Sequence, residues 1–234
     1  MLIGIGNVFI YFIIVASLAI LCRFLIKIPN ELFRKILHTI LLGSLLVFVF
    51  GFQIWWHAAL TAVIFAIVVY PVLIYLERLQ HFSEITTERK KGELKSSLLL
   101  VFSMFAIIIC ICWGWFKDRY LVLAAVYAWG FGDAAAALVG KKFGKHKLNG
   151  RYLDGKKSLE GSIAMFIISV VSVAIVIFFR GGLSNTGYVM LPILTAFVST
   201  LSELYSKEGM DTIICPICSM IILIPLMYLF GGLT

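Results

Sequence analysis

Eight apolar runs follow one another along this sequence, at about 3–26, 36–53, 55–76, 96–116, 119–140, 161–179, 187–204 and 212–231. Each is near the roughly 20 residues that a helix needs to cross a bilayer's hydrocarbon layer. Inside lipid no water pairs with the backbone, so such runs must be helical. The expected fold is therefore an all-α polytopic transmembrane bundle of about eight spans, forming a single integral membrane domain over 1–234 with no soluble domain. Composition agrees: 62% of the 234 residues are hydrophobic, against roughly 45–50% in soluble domains. A soluble enzyme, a secreted disulfide scaffold and a disordered chain are all excluded. The first run has no basic residue before Arg23, at its far end, and reads as a retained helix rather than a cleaved signal peptide. All five cysteines lie inside apolar runs. Cys215-Pro-Ile-Cys218 has metal or redox spacing, but with no second pair or histidine nearby these cysteines read as small buried hydrophobes.

The formal net charge of +8 has to be read against topology. Alternating the eight spans puts Arg23, Lys27, Arg34, Lys35, Arg78, Arg89, Lys90, Lys91, Lys95, Lys141, Lys142, Lys145, Lys147, Arg151, Lys156, Lys157 and Lys207 on one side, seventeen of the 20 basic residues. Lys117, Arg119 and Arg180 fall on the other. The positive-inside rule then predicts a multi-pass protein of the cell membrane with cytoplasmic basic loops and both termini outside. The excess charge is accounted for by topology, and no nucleic-acid partner is expected.

Chemistry is expected in the basic loops, above all at 141–160. Around Gly140, Gly144, Gly155 and Gly161, glycines allow close backbone approach to a ligand, with N–H groups directed at it. Lys147, Lys156 and Lys157 supply charge for a triphosphate. A plain positive-inside loop explains the lysines equally well, but not the glycine spacing. Gly150-Arg-Tyr-Leu-Asp-Gly155-Lys156 has the outline of a Walker A loop, yet Lys157 stands where Ser or Thr is required, and a βαβ setting is lacking.

Asp133 lies upstream, inside an otherwise apolar run. A carboxylate there needs a polar cavity and a cation, or an internal ion pair. Glu203 and Asp211 approach the same membrane face from the last two spans. Three acids beside a basic glycine loop suit a magnesium–triphosphate complex, with carboxylates on Mg²⁺ and lysines on phosphate oxygens. Glu203 and Asp211 alone would pass for interfacial charges. In the second span Glu31, Arg34, Lys35 and His38 follow i, i+3, i+4, i+7 and share one helix face. That stripe is suited to a lipid phosphate or a proton shuttle; the plain alternative is an interfacial helix end whose long side chains snorkel to headgroups.

Asp133, Ala136, Gly140, Gly144, Lys147, Lys156-Lys157-Ser158 and Glu160-Gly161 together resemble the nucleotide signature of CTP-dependent lipid kinases, the group of dolichol, phytol and yeast-type diacylglycerol kinases. Glu31, Arg34-Lys35 and His38 resemble that family's E-x-x-R-K-x-x-H segment, and Gly92-Glu93 continues the likeness. Glu203 and Gly209-Met-Asp211…Pro216 are similar to its late G-x-D-N…P stretch, with Thr212 in place of the Asn. The resemblance runs from about 31 to 216. It implies transfer of the γ-phosphate of CTP to a polyprenol, phytol-like alcohol or diacylglycerol. Lys147, Lys156, Lys157 and loop N–H groups would hold phosphates, and Asp133 and Asp211 would hold Mg²⁺. Glu203 or Asp133 would take the hydroxyl proton, while Arg34, Lys35 and His38 position the acceptor.

Phosphatidate cytidylyltransferases have a similar Asp…Gly…Gly…Lys-Lys-Thr-x-Glu-Gly segment and are the alternative. Their late Pro-Gly-His-Gly-Gly run has no counterpart after Asp211, and Asp154-Gly155 stands where they commonly carry Ser-Pro. A transporter would also carry an intramembrane carboxylate, but it predicts paired repeats and broken helices, and the sequence contains no such repeat.

Overall fold

Every one of the eight apolar runs forms a helix long enough to cross a membrane. In chain order these are α1 (Leu2–Leu25), α2 (Asn30–Phe50), α3 (Trp55–Leu76), α4 (Glu93–Ile108, continued by a π-helical segment Ile109–Trp115), α5 (Arg119–Phe143), α6 (Leu159–Arg180), α7 (Asn185–Tyr205) and α8 (Asp211–Leu229). The computed structural model describes residues 1–26, 28–78, 92–150, 153–207 and 209–233, with only the backbone of 149, 150 and 153–156. Lys27, Arg89, Lys90, Lys91, Arg151 and the side chain of Lys156 lie outside the described residues.

Several helices begin earlier than the apolar runs, because their first turns are polar. Glu31, Glu93 and Asp211 occupy first turns of α2, α4 and α8, where a negative charge meets the positive end of the helix dipole. Asp118, Ser158 and Ser184 cap α5, α6 and α7 by accepting first-turn amides. Among the described residues the departure from helix is a two-stranded antiparallel hairpin between α5 and α6, β1 (Lys147–Gly150) with β2 (Leu153–Ser158). Its register sets Lys147 opposite Ser158 and Gly150 opposite Leu153. The glycine-lysine loop is thus partly ordered by backbone pairing, which hydrophobic periodicity does not reveal.

The chain divides into two compact units, Met1–Cys110 and Ile111–Thr234. The first is centred on aromatic packing of Phe12, Phe48, Phe65, Phe102 and Phe105, with Phe65 and Phe102 ring centroids 4.8 Å apart and Phe48 and Phe102 5.9 Å apart. Tyr11 Oη donates to the Ile40 carbonyl at 2.8 Å, joining α1 to α2.

In the second unit α5 is the central helix. All ten residues from Leu121 to Gly130 are buried, as expected of a helix apolar on every side. Burial then relaxes from Phe131 toward Gly144, where α5 becomes partly exposed. α6 packs along α5, and α7 and α8 complete the unit. At the opposite end Arg180 Nε donates to Asp118 Oδ2 at 2.6 Å, and the same guanidinium reaches the Gly181 and Gly232 carbonyls. One arginine thereby ties the start of α5, the end of α6 and the segment after α8.

Candidate functional site

The residues singled out in the 133–161 segment divide into those that build a helix crossing and those that present chemistry. Gly132, Ala136, Gly140 and Gly144 recur every four residues and so form one stripe along α5. A Cβ added at Gly161 on α6 would stand 3.0 Å from the Ala136 carbonyl oxygen and 3.4 Å from Gly140 Cα. A Cβ at Gly144 would stand 2.9 Å from Ser158 Cβ. Small residues at this spacing let two helix backbones approach closely in a membrane. The amides of Gly144 and Gly161 are also occupied: Gly144 N–H donates to the Gly140 carbonyl at 3.1 Å, and Gly161 N–H donates to Ser158 Oγ at 3.2 Å. The expectation that amides of these segments face a phosphate therefore fails at these two positions, because helix closure and the α6 cap already use them.

Glu160 fastens the hairpin to α6. Its carboxylate accepts the His146 backbone N–H at 3.2 and 3.3 Å and lies 2.7 Å from His146 Nδ1. The Leu159 amide donates to the His146 carbonyl at 2.9 Å. Lys141, Lys142, Lys145 and Lys147 are exposed around this junction.

The chemical cluster lies beside that crossing, within the same unit. Asp133 sits one turn after Trp129 on α5. Trp129 is 1% exposed, and its Nε1–H donates to Asp211 Oδ2 at 3.4 Å, bringing the first turn of α8 against α5. Lys157 of β2 reaches α7: its ammonium lies 3.3 Å from Glu203 Oε1 and donates to the carbonyls of Glu203, Leu204 and Ser206. Ser206 Oγ donates to the Glu203 carbonyl at 2.8 Å, closing the same turn. Glu203 interacts electrostatically with Asp133 and Asp211 as well as Lys157, and Cys215 is within reach of Asp211, Glu203 and Lys157. Four elements, α5, β2, α7 and α8, thus bring three carboxylates and an ammonium into one neighbourhood. Sequence reasoning gave Trp129 no role, although its position four residues before Asp133 places both on one face.

Arg34, Lys35 and His38 belong to the other unit, on the first turns of α2. Arg34 pairs with Glu31 at 3.1 Å and with Glu93 at 3.6 Å, Lys35 is buried, and His38 is half-buried. Arg34 is thus already neutralised within its unit by two carboxylates. All five cysteines are free thiols, and Cys215 is fully buried.

Among the described residues no three His, Cys, Asp or Glu side chains are grouped closely enough to enclose a metal unaided. Mg²⁺ does not require that, since it commonly takes one or two carboxylates and completes its shell with phosphate oxygens and water. The hard oxygen donors of Asp133 and Asp211 fit that pattern.

The carboxylate cluster and the basic hairpin belong to the same unit. The whole chain, residues 1–234, matches the cytidylyltransferase family. The chain belongs to this family. No curated protein and no solved structure matches it. As a cytidylyltransferase-family protein it is a membrane-embedded transferase that binds a nucleoside triphosphate and a lipid. The resemblance to phosphatidate cytidylyltransferases is thereby supported at family level.

Proposed function

We propose that this protein transfers a phosphorus-bearing group from CTP to a membrane lipid, and that the transfer is cytidylyl transfer, making a CDP-lipid. The observation that carries the reading is the Asp133–Glu203–Asp211–Lys157 cluster beside the basic hairpin, in a chain matched along its whole length by the cytidylyltransferase family. A phosphate oxygen of the lipid attacks the α-phosphorus of CTP; the new O–Pα bond forms as the bond to the β-phosphate oxygen breaks, and pyrophosphate leaves. Lys147 and Lys156 hold phosphates and absorb developing charge. Asp133 and Asp211 hold Mg²⁺, which supplies charge neutralisation along the polyphosphate. The basic end of the bundle faces the cytoplasm, with both termini outside.

A second reading is favoured by one specific feature. Gly209-Met-Asp211…Pro216 is similar to the late segment of CTP-dependent lipid kinases, with Thr212 in place of the Asn. On that reading a lipid hydroxyl attacks the γ-phosphorus, CDP leaves, and Glu203 or Asp133 takes the hydroxyl proton. Purified protein incubated with lipid and CTP labelled at the α or the γ phosphorus separates the two readings. Label from α in the lipid is the expected result, label from γ selects the kinase, and label from neither, with phosphatidate, diacylglycerol and isoprenoid alcohols all tried, overturns both.

A further inference from the structure

Lys157 stands in sequence where a phosphate-binding lysine is expected, but its ammonium is engaged by the end of α7. Four oxygens surround it: the carbonyls of Glu203, Leu204 (3.3 Å) and Ser206 (3.2 Å), and Glu203 Oε1 at 3.3 Å. An ammonium has three protons to donate, so these acceptors already exhaust it. α7 ends at Tyr205, and the last carbonyls of a helix lack intrahelical partners and carry partial negative charge. A lysine from another element satisfies both needs. The next residue, Ser158, caps the first turn of α6. Two adjacent residues of β2 therefore fasten the end of one helix and the beginning of another.

We infer that Lys157 is a positioning residue: it holds the last turn of α7 and thereby sets the Glu203 carboxylate in the cluster, and it is not a ligand of the nucleotide phosphates. To take a phosphate it would have to release the carbonyls of Leu204 and Ser206, which have no other donor among the described residues, and that of Glu203, which also accepts from the Ser206 hydroxyl and, at 3.2 Å, from the Ser206 N–H. The inference rests on the CTP-dependent reading for its kinetic consequence alone; the helix clamp stands without it.

The test uses the full chain in detergent micelles with Lys157→Met and Lys157→Arg. Lys157→Met is expected to lower kcat about tenfold to 100-fold while the KM for CTP stays within about twofold, the pattern of a lost transition-state alignment rather than lost substrate binding. Lys157→Arg, which keeps charge and donors, is expected to recover most of the rate. In the nucleotide-free protein, amides of the last turn of α7 should exchange about tenfold faster in Lys157→Met than in the wild type. A rise in CTP KM of tenfold or more with kcat retained overturns the inference, and so does unchanged exchange at 202–206. Should Lys157→Met fail to fold, Lys157→Gln, which keeps an N–H donor without the charge, gives the same two readouts. If the wild-type protein turns over no CTP, the proposed function fails, yet the exchange experiment still decides the role of Lys157.

Discussion

The Gly132 position gives the sharpest test of whether the motif glycines serve the α5–α6 crossing. In Gly132→Ala the new methyl would stand 2.9 Å from Met165 Cγ and 3.4 Å from the Met165 carbonyl, and would collide with Ser169 Oγ. Met165 and Ser169 are fully buried, and Ser169 Oγ donates to the Ala128 carbonyl, so neither can swing into solvent. Overpacking of this kind costs about 1–3 kcal/mol, and displacing the serine hydroxyl costs about 1 kcal/mol more. Alanine regains about 1 kcal/mol over glycine within a helix. The net is a loss of about 1–3 kcal/mol, or a Tm lower by about 2–12 °C for a chain of this size. Ser169→Ala alone removes one hydrogen bond, at about 1 kcal/mol. In the double variant the methyl at 132 occupies space vacated by the hydroxyl, so the two changes cost less together than separately, with a coupling of at least about 0.5 kcal/mol. Thermal unfolding of all four proteins in one detergent measures the cycle. A Gly132→Ala protein that melts at or above the wild-type temperature, or strict additivity, would refute the close-approach argument.

Asp133→Asn keeps the size of the side chain and removes the charge; turnover is expected to vanish while the variant elutes and melts like the wild type, and a well-folded variant at wild-type rate removes Asp133 from the mechanism. Trp129→Phe deletes the indole N–H on Asp211 and should cost about 1 kcal/mol, because the bond is long for one to a charged acceptor; kcat is expected to fall with it, and an unchanged rate would show that Asp211 needs no such support. Thr195, Ser199 and Ser219 are fully buried hydroxyls with no hydrogen-bond partner among the described residues. Thr195→Val and Ser219→Ala should therefore leave stability unchanged or raise it by up to about 1 kcal/mol, a Tm rise of at most about 4 °C, in contrast to Ser169→Ala; a marked fall would mean that these hydroxyls are paired.

How much of this was legible in the sequence follows from which force decides each feature. The spans were legible because the bilayer imposes one length and one polarity on every crossing segment, and Pro71, Pro192, Pro216 and Pro225 inside the helices do not interrupt them. The expectation that Asp133, Glu203 and Asp211 share a neighbourhood has a similar basis: a carboxylate in an apolar run demands polar company. The hairpin was not legible, since its pairing is set by backbone hydrogen bonds across a short loop and leaves no long periodic signal. Nor was the division into two units, which depends on which helix faces meet. The packing of the glycines at the α5–α6 crossing is not legible one residue at a time. Glycine and lysine near a triphosphate site invite a phosphate reading one residue at a time, whereas the four-residue interval from Gly132 to Gly144 is a helix period. A phosphate cradle needs consecutive free amides in non-helical backbone; the stripe on α5 instead runs through residues whose amides close helical turns up to Gly144. The stripe thus fixes how closely α6 lies on α5. Because Asp133 directly follows Gly132 and Lys157 directly precedes the Ser158 cap, the same crossing sets where the cluster's carboxylate and ammonium stand.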